Sequence, residues 1–198
     1  MLQDLKRGLL FTVATMILFG FGYHALLWTI GRVAFPDQAE GSLVRRPDGG
    51  IAGSRHIAQR FERPEYFHPR PSGVGYNAAS AGGTNYGPSN PEHLRAVRER
   101  LDDIIAREHV PASRVPSEMI TASGGGLDPH IPPEAAEIQI LRVARARQMA
   151  ESQVRSLVHQ HTEHSTFGFL GRARINVLQL NLALDRESRS GINKGSAQ

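Results

Sequence analysis

The chain has 198 residues, no cysteine and a formal net charge of +4 at pH 7. Without cysteine it forms no disulfide, holds no thiolate-ligated metal cluster and performs no thiol catalysis. The positive balance is too mild and too dispersed to mark a nucleic-acid-binding surface, and the length allows a membrane segment plus one domain with a real core.

The first element is a run without a charged side chain, Gly8 through Gly31. A helix of that length, at about 1.5 Å per residue, covers the roughly 30 Å hydrocarbon core of a bilayer. Lys6 and Arg7 precede the run, Arg32 follows it, and the next basic residues are Arg45 and Arg46. The denser charge on the short N-terminal flank places residues 1–7 in the cytoplasm and everything after the helix outside it. The expected location is the cell (inner) membrane, with a single pass. Tyr23 and Trp28 are the candidate interfacial anchors. A cleavable signal peptide is the rival reading. The apolar run is long for one and no clean small-x-small site precedes Pro36, so the span is expected in the mature protein. His24 is an ionisable residue within the span and therefore a functional candidate; its plain reading is a neutral imidazole bonded to a neighbouring helix or lying near the interface. Gly20 shares a helix face with His24, and Gly22 with Leu26, which admits close approach of a partner helix.

Residues 32–53 read as a linker, with Ser42-Leu43-Val44 a short strand. A soluble domain follows over 54–185, and 186–198 form a polar tail expected to fray. From Phe61 to Pro91 the chain is rich in Pro, Gly, Ser and Asn, yet Tyr66, Phe67, Tyr76 and Tyr86 are interleaved. Aromatic residues are rare in flexible spacers, so this long irregular stretch reads as an ordered, functional loop. A helix follows, with Asn90 as N-cap, Pro91 at its first position, and Leu94, Val97, Leu101, Ile104 and Ile105 at helical spacing. It ends by Val110-Pro111. Ser117–Ser123 reads as a strand around Met119, Ile120 and Thr121, stopped by Gly124-Gly125-Gly126. Helical regions are expected around Ile138, Leu141 and Val143, and around Val154, Leu157 and Val158. Leu178, Leu180, Leu182 and Leu184 alternate with Gln179, Asn181 and Ala183, the period of a half-buried strand. The fold class is α/β (α+β): one N-terminal transmembrane helix, then one small mixed helix/strand domain.

Three constellations bear on chemistry. The glycine turn Ser123, Gly124, Gly125, Gly126 has the composition of a phosphate cradle. The Walker pattern, however, requires Gly-Lys-Ser/Thr, and here Leu127-Asp128-Pro129 follows, with Asp128 repelling an anion. His159, His161 and His164 with Glu163 have the chemistry of a metal site but no matching distant ligand, so a solvated helix end is the plainer reading. Ser80, Ser123, His130 and Asp128 supply the parts of a hydrolase triad without a nucleophile elbow. No catalytic or metal site is assigned from these.

The stretch Asn77-Ala78-Ala79-Ser80-Ala81-Gly82-Gly83-Thr84-Asn85-Tyr86-Gly87-Pro88-Ser89-Asn90-Pro91 resembles the loop of the C subunit of the Kdp potassium-transporting ATPase. Arg70-Pro71-Ser72 before it, Thr121 through Ile131 after it, and Asn176 through Asp185 complete the pattern in the same order and spacing. The resemblance covers about residues 8 to 185. Two segments depart from it: Arg55-His56-Ile57-Ala58-Gln59 stands where the family commonly has Leu-Ile-Gly-Gln, and Ser123-Gly124-Gly125-Gly126 where it often has Ser-Gly-Ser-Gly. The resemblance implies a non-catalytic accessory subunit of an ATP-driven potassium uptake complex. Its partners there are a channel-like potassium-binding subunit, a P-type ATPase subunit and a small peptide subunit. It implies a role in assembly and stability, and action as a catalytic chaperone that raises the ATP affinity of the ATPase subunit through a transient ternary complex with nucleotide. Ser123, Gly124, Gly125 and Gly126 are the candidates for that nucleotide. An extracytoplasmic domain meets almost no ATP, so a purely structural subunit near the potassium entrance stands beside the chaperone reading. Tyr76, Asn77, Tyr86, Pro88 and Asn90 are the candidate docking residues, tyrosine offering large contact area at low entropic cost. The alternative is that these rings pack on the domain's own core.

Overall fold

The computed structural model describes residues 1–46 and 48–195, with side chains as far as 188. The chain divides into two compact units, one from Met1 to Ala52 and one from Gly53 onward.

In the first unit, α1 (Leu2–Ile17), a π-helical turn (Leu18–Gly22) and α2 (Tyr23–Ala34) form one continuous helix. Over its 33 residues it is long and apolar enough to cross a membrane. Its three threonines and His24 bond to carbonyls of the same helix, as a bilayer demands. Thr12, Thr15 and Thr29 donate to the carbonyls of Gly8, Phe11 and Ala25 at 2.8–2.9 Å. His24 Nδ1 lies 3.0 Å from the Phe19 carbonyl, so the imidazole bonds within its own helix, at the π-helical turn. Arg32 sits 5.6 Å from the Trp28 ring centroid and pairs with Glu40 at 2.8 Å. A short α3 (Pro36–Ala39) follows, and then β1 (Leu43–Arg45), which pairs with β2 (Ile51–Ser54).

The second unit is α+β. No helix or strand occurs between β2 and α4 (Pro91–Glu108). The α4 helix starts as expected: Asn90 Oδ1 accepts from Glu92 N at 2.8 Å, and Pro91 occupies the first turn. It stops at His109, whose φ of +53° is left-handed. The segment read as a strand at 117–123 is instead a single helical turn, α5 (Ser117–Ile120), with Met119 buried beneath it. Pro116 in extended conformation opens that turn, and a piece so short carries no usable period. Then come β3 (His130–Ile131), α6 (Pro133–Glu137), α7 (Ile140–Arg147), α8 (Glu151–Gln160), β4 (Thr162–Glu163) and β5 (Arg174–Asn176). The strands form an antiparallel sheet in the order β3-β5-β4, with Ile131 and Thr162 both opposite Ile175.

The leucine alternation at 178–184 is not a strand. It lies in the last helix, α9 (Val177–Gly195), whose backbone also carries most of the expected frayed tail; residues 196–198 lie outside the described residues. Val177, Leu180, Asn181 and Leu184 are each 2% exposed or less. Those positions are spaced i, i+3, i+4 and i+7, a helix face. Asn181 is polar, which hides the helical period from a count of apolar residues. The core joins these to Phe67, Ile131, Ile140, Val143, Val154 and Ile175.

Candidate functional site

The irregular stretch 61–90 is fixed to the domain by buried polar side chains at one end and by backbone interlocking at the other. Asn181 Oδ1 accepts from Phe67 N at 2.8 Å while its Nδ2 donates to Phe67 O at 3.0 Å, the two-pronged pairing of a strand neighbour supplied by one side chain. Gln139 repeats the device one residue on, accepting from His68 N at 2.8 Å and donating to His68 O. Arg142 donates to the carbonyls of Pro64 and Tyr66, to Gln139, and through Nε to both oxygens of Glu108. The Glu108 side chain is fully buried and also bonds Arg107 at 2.8 Å. Two cations and a buried carboxylate form a closed network, which removal of either sign of charge leaves uncompensated. Burial, reinforced by Arg142 and Arg107, holds the His68 imidazole down at about 4, so it is neutral at pH 7.

Beyond Pro69 the chain meets the glycine turn. Ser123 N donates to Pro71 O at 3.1 Å, Gly82 N to Gly125 O at 3.0 Å, and Ser72 Oγ to Gly126 O at 2.6 Å. Ser72 Oγ in turn accepts from Tyr76 N at 2.9 Å. The approach is too close for side chains. A Cβ on Gly83 would lie 2.7 Å from Gly124 O, and one on Gly126 would lie 2.6 Å from Gly82 O, where φ is also +70°. Gly83 and Gly126 are therefore required where the two loops cross, because only bare backbone lets them approach this closely. Arg70 bonds Asp128 at 2.9 Å, and Asp128 Oδ1 accepts from His130 N at 3.0 Å. Burial pushes the Asp128 carboxyl up, but the bonds from His130 and Arg70 outweigh it and hold the group below the usual carboxylate range.

Each candidate residue now has a place. Ser123 is 5% exposed and its hydroxyl faces the Asp128 amide at 3.5 Å. The outer faces of Gly124 and Gly125 open to space. The turn leads into β3, not into a helix N-terminus, and the charged Asp128 follows it. Tyr76 is part of the loop's frame: it has φ of +61°, donates its hydroxyl to Arg70 O at 2.7 Å, and lies under Arg60. It also walls an open cleft of about 420 Å³ with His68, Arg100 and Arg107. Asn77 is exposed and accepts from Ala79 N. Asn90 caps α4. Pro88 is exposed, and Tyr86 is 44% exposed with its hydroxyl on Glu92 at 3.1 Å and its ring 6.4 Å from that of His93. The structure thus separates two roles: Tyr76 and Asn90 hold the loop, whereas Asn77, Tyr86 and Pro88 face outward from it. Among the described residues, no group of three or more His, Asp or Glu is placed to hold a metal. His161 bonds Leu157 O, and Glu163 pairs with Arg174.

A family model for the K+-transporting ATPase c chain, KdpC, matches residues 5–186. This chain belongs to the KdpC family. It is 46% identical over 187 residues to the potassium-transporting ATPase KdpC subunit of Geobacter sulfurreducens, covering 93% of this chain and 98% of the relative. The KdpC subunit of Sorangium cellulosum is likewise 46% identical over 188 residues, with 93% and 98% covered. That of Herpetosiphon aurantiacus is 48% identical over 173 residues, covering 86% and 89%. The KdpC match takes in the apolar helix, the 61–90 stretch and the glycine turn alike. Sequence reasoning missed Glu108, Gln139, Arg142 and Asn181, the residues that hold this stretch in place. Asn181 is a polar side chain on an otherwise apolar helix face, and Gln139 stands in the turn just before Ile140–Arg147, so neither shows as a site in the sequence.

Proposed function

We propose that this chain is the accessory subunit of an ATP-driven potassium uptake complex, needed for assembly and acting by protein contact. Its helix 2–34 spans the cell membrane once, with Met1 in the cytoplasm and the polar domain outside. Lys6 and Arg7 before the span support that orientation, and the relatives named potassium-transporting ATPase subunits support the setting. Its partners are the channel-like potassium-binding subunit, the P-type ATPase subunit and the small peptide subunit. The docking face is the outward side of the 77–90 loop, with Tyr86 as its anchor and Asn77 and Pro88 around it.

One observation carries this reading: the Tyr86 ring is exposed yet held, by Glu92 at its hydroxyl and His93 beside it, on a loop locked to the glycine turn. A fixed aromatic loses little entropy on binding. Any effect on ATP affinity then passes through the membrane subunits as a coupling free energy, typically about 1–3 kcal/mol. The chaperone reading, in which Ser123–Gly126 touch ATP in a transient ternary complex, draws on the open faces of Gly124 and Gly125. The ionised Asp128 beside them opposes a phosphate, and no lysine follows the turn.

The test is Tyr86→Ala in the assembled complex. Expected are a folded chain and weakened co-purification with the potassium-binding subunit. Normal assembly with full potassium-stimulated ATPase activity contradicts the docking role. ATP titration of the full chain in detergent should give weak or no binding; a low-micromolar constant abolished by changing Gly125 returns the chaperone reading.

A further inference from the structure

Among the described residues, the most exposed apolar side chains of the second unit are not on the docking loop. They crown the hairpin between β4 and β5, where Phe167, Phe169 and Leu170 are 85%, 80% and 60% exposed. The turn is built, not loose. Thr166 and Leu170 exchange two backbone hydrogen bonds of 2.9 Å, and Gly168 N donates to Ser165 O at 3.0 Å. Phe167 takes a φ of +56°, followed by Gly168 at +82°. A bulky residue in the left-handed region is strained, and here burial of the ring within the domain does not offset it.

We propose that this tip is a membrane-contacting finger: Phe167, Phe169 and Leu170 enter the interfacial layer of the bilayer that helix 2–34 crosses. Apolar rings and a leucine with a basic flank are the chemistry of interfacial insertion. The nine residues from His164 to Arg172 contain no carboxylate. Arg172 is 92% exposed at its side chain and held only by a long 3.6 Å pairing with Glu118, so its guanidinium can turn to a lipid phosphate. The tip's backbone bonds to itself, which lowers the penalty for leaving water. The bilayer is also the one apolar phase this chain carries with it. The segment from Phe35 to Ala52 extends at most about 60 Å, so the finger meets lipid at high effective concentration.

The experiment uses the full chain reconstituted in phosphatidylethanolamine/phosphatidylglycerol vesicles. Phe169→Trp is placed in a Trp28→Phe background, Trp28 being the one native tryptophan. Leu170→Trp in the same background is the second probe should the first not fold. Expected is a blue-shifted emission, quenched at least twofold by lipids brominated at shallow acyl positions. Emission typical of water, open to iodide, overturns the proposal. So does a blue-shifted emission in the assembled complex that brominated lipid leaves unchanged, since a protein pocket then covers the tip. Quenching of Trp28 in the unaltered chain reports the anchor separately, so a dry anchor with a wet tip rejects the finger alone.

Discussion

The 61–90 stretch and the 165–171 hairpin invert the usual link between regularity and fixity. The first has no helix or strand, yet its backbone is bonded to buried Asn181 and Gln139 and pressed against the glycine turn. The second is a hydrogen-bonded hairpin, yet its large side chains touch little of the domain. Order in this molecule therefore follows the partners of the backbone N–H and C=O groups, wherever they come from. Exposure follows from what the side chains lack. A loop built the first way presents a fixed surface, whereas the hairpin presents a fixed backbone with exposed apolar tips.

Four changes separate the two regions, each read in urea melts of the full chain in detergent. Glu108→Ala removes the buried carboxylate that Arg142 and Arg107 share and leaves their charges uncompensated. A loss of about 3–5 kcal/mol is expected, and a loss below ~1 kcal/mol breaks the view that this network founds the loop. Gly126→Ala forces a Cβ against Gly82 O at a left-handed φ. It is expected to cost about 2–3 kcal/mol, while Gly124→Ala, facing open space, stays within ~1 kcal/mol.

The third change is acidification. His68 titrates in the fold at about 4 against an ordinary value of 6.5, chiefly because burial disfavours the cation. The unfolded chain therefore takes up the proton first. The His68 contribution to stability is full above pH 6.5, falls as pH drops toward 4, and changes no further below. After discounting for partial exposure the loss is on the order of 2 kcal/mol, and His68→Asn should flatten that part of the profile. The smallest effect belongs to the hairpin: Phe167→Ser with Phe169→Ser should shift stability by less than about 0.5 kcal/mol. A large loss there means that the rings are packed and the contrast fails.

What the sequence conveyed follows the same division. The apolar span, the Asn90-Pro91 start of α4 and the α8 stripe were legible because local chemistry and periodicity agree there. The α9 helix was misread because buried Asn181 interrupts its apolar face while its leucines happen to alternate. The glycine turn was visible as composition, but its meaning depends on a second glycine pair far upstream, at 82–83, which no local pattern links to it. The hairpin tip left no mark at all. Phe167, Phe169 and Leu170 look like core residues until the topology places them at the end of a turn.

Amide hydrogen exchange on the full chain, with no other subunit present, tests the central claim most directly: the 61–90 stretch is rigid before any partner arrives. Slow exchange is predicted at Phe67, His68, Gly82 and Ser123, whose N–H groups bond Asn181, Gln139, Gly125 and Pro71. It should approach the protection of Val143 and Val154 in the core. Exchange at Gly82 and Ser123 as fast as in an unfolded chain would contradict that claim, because the loop would then take its shape only on binding.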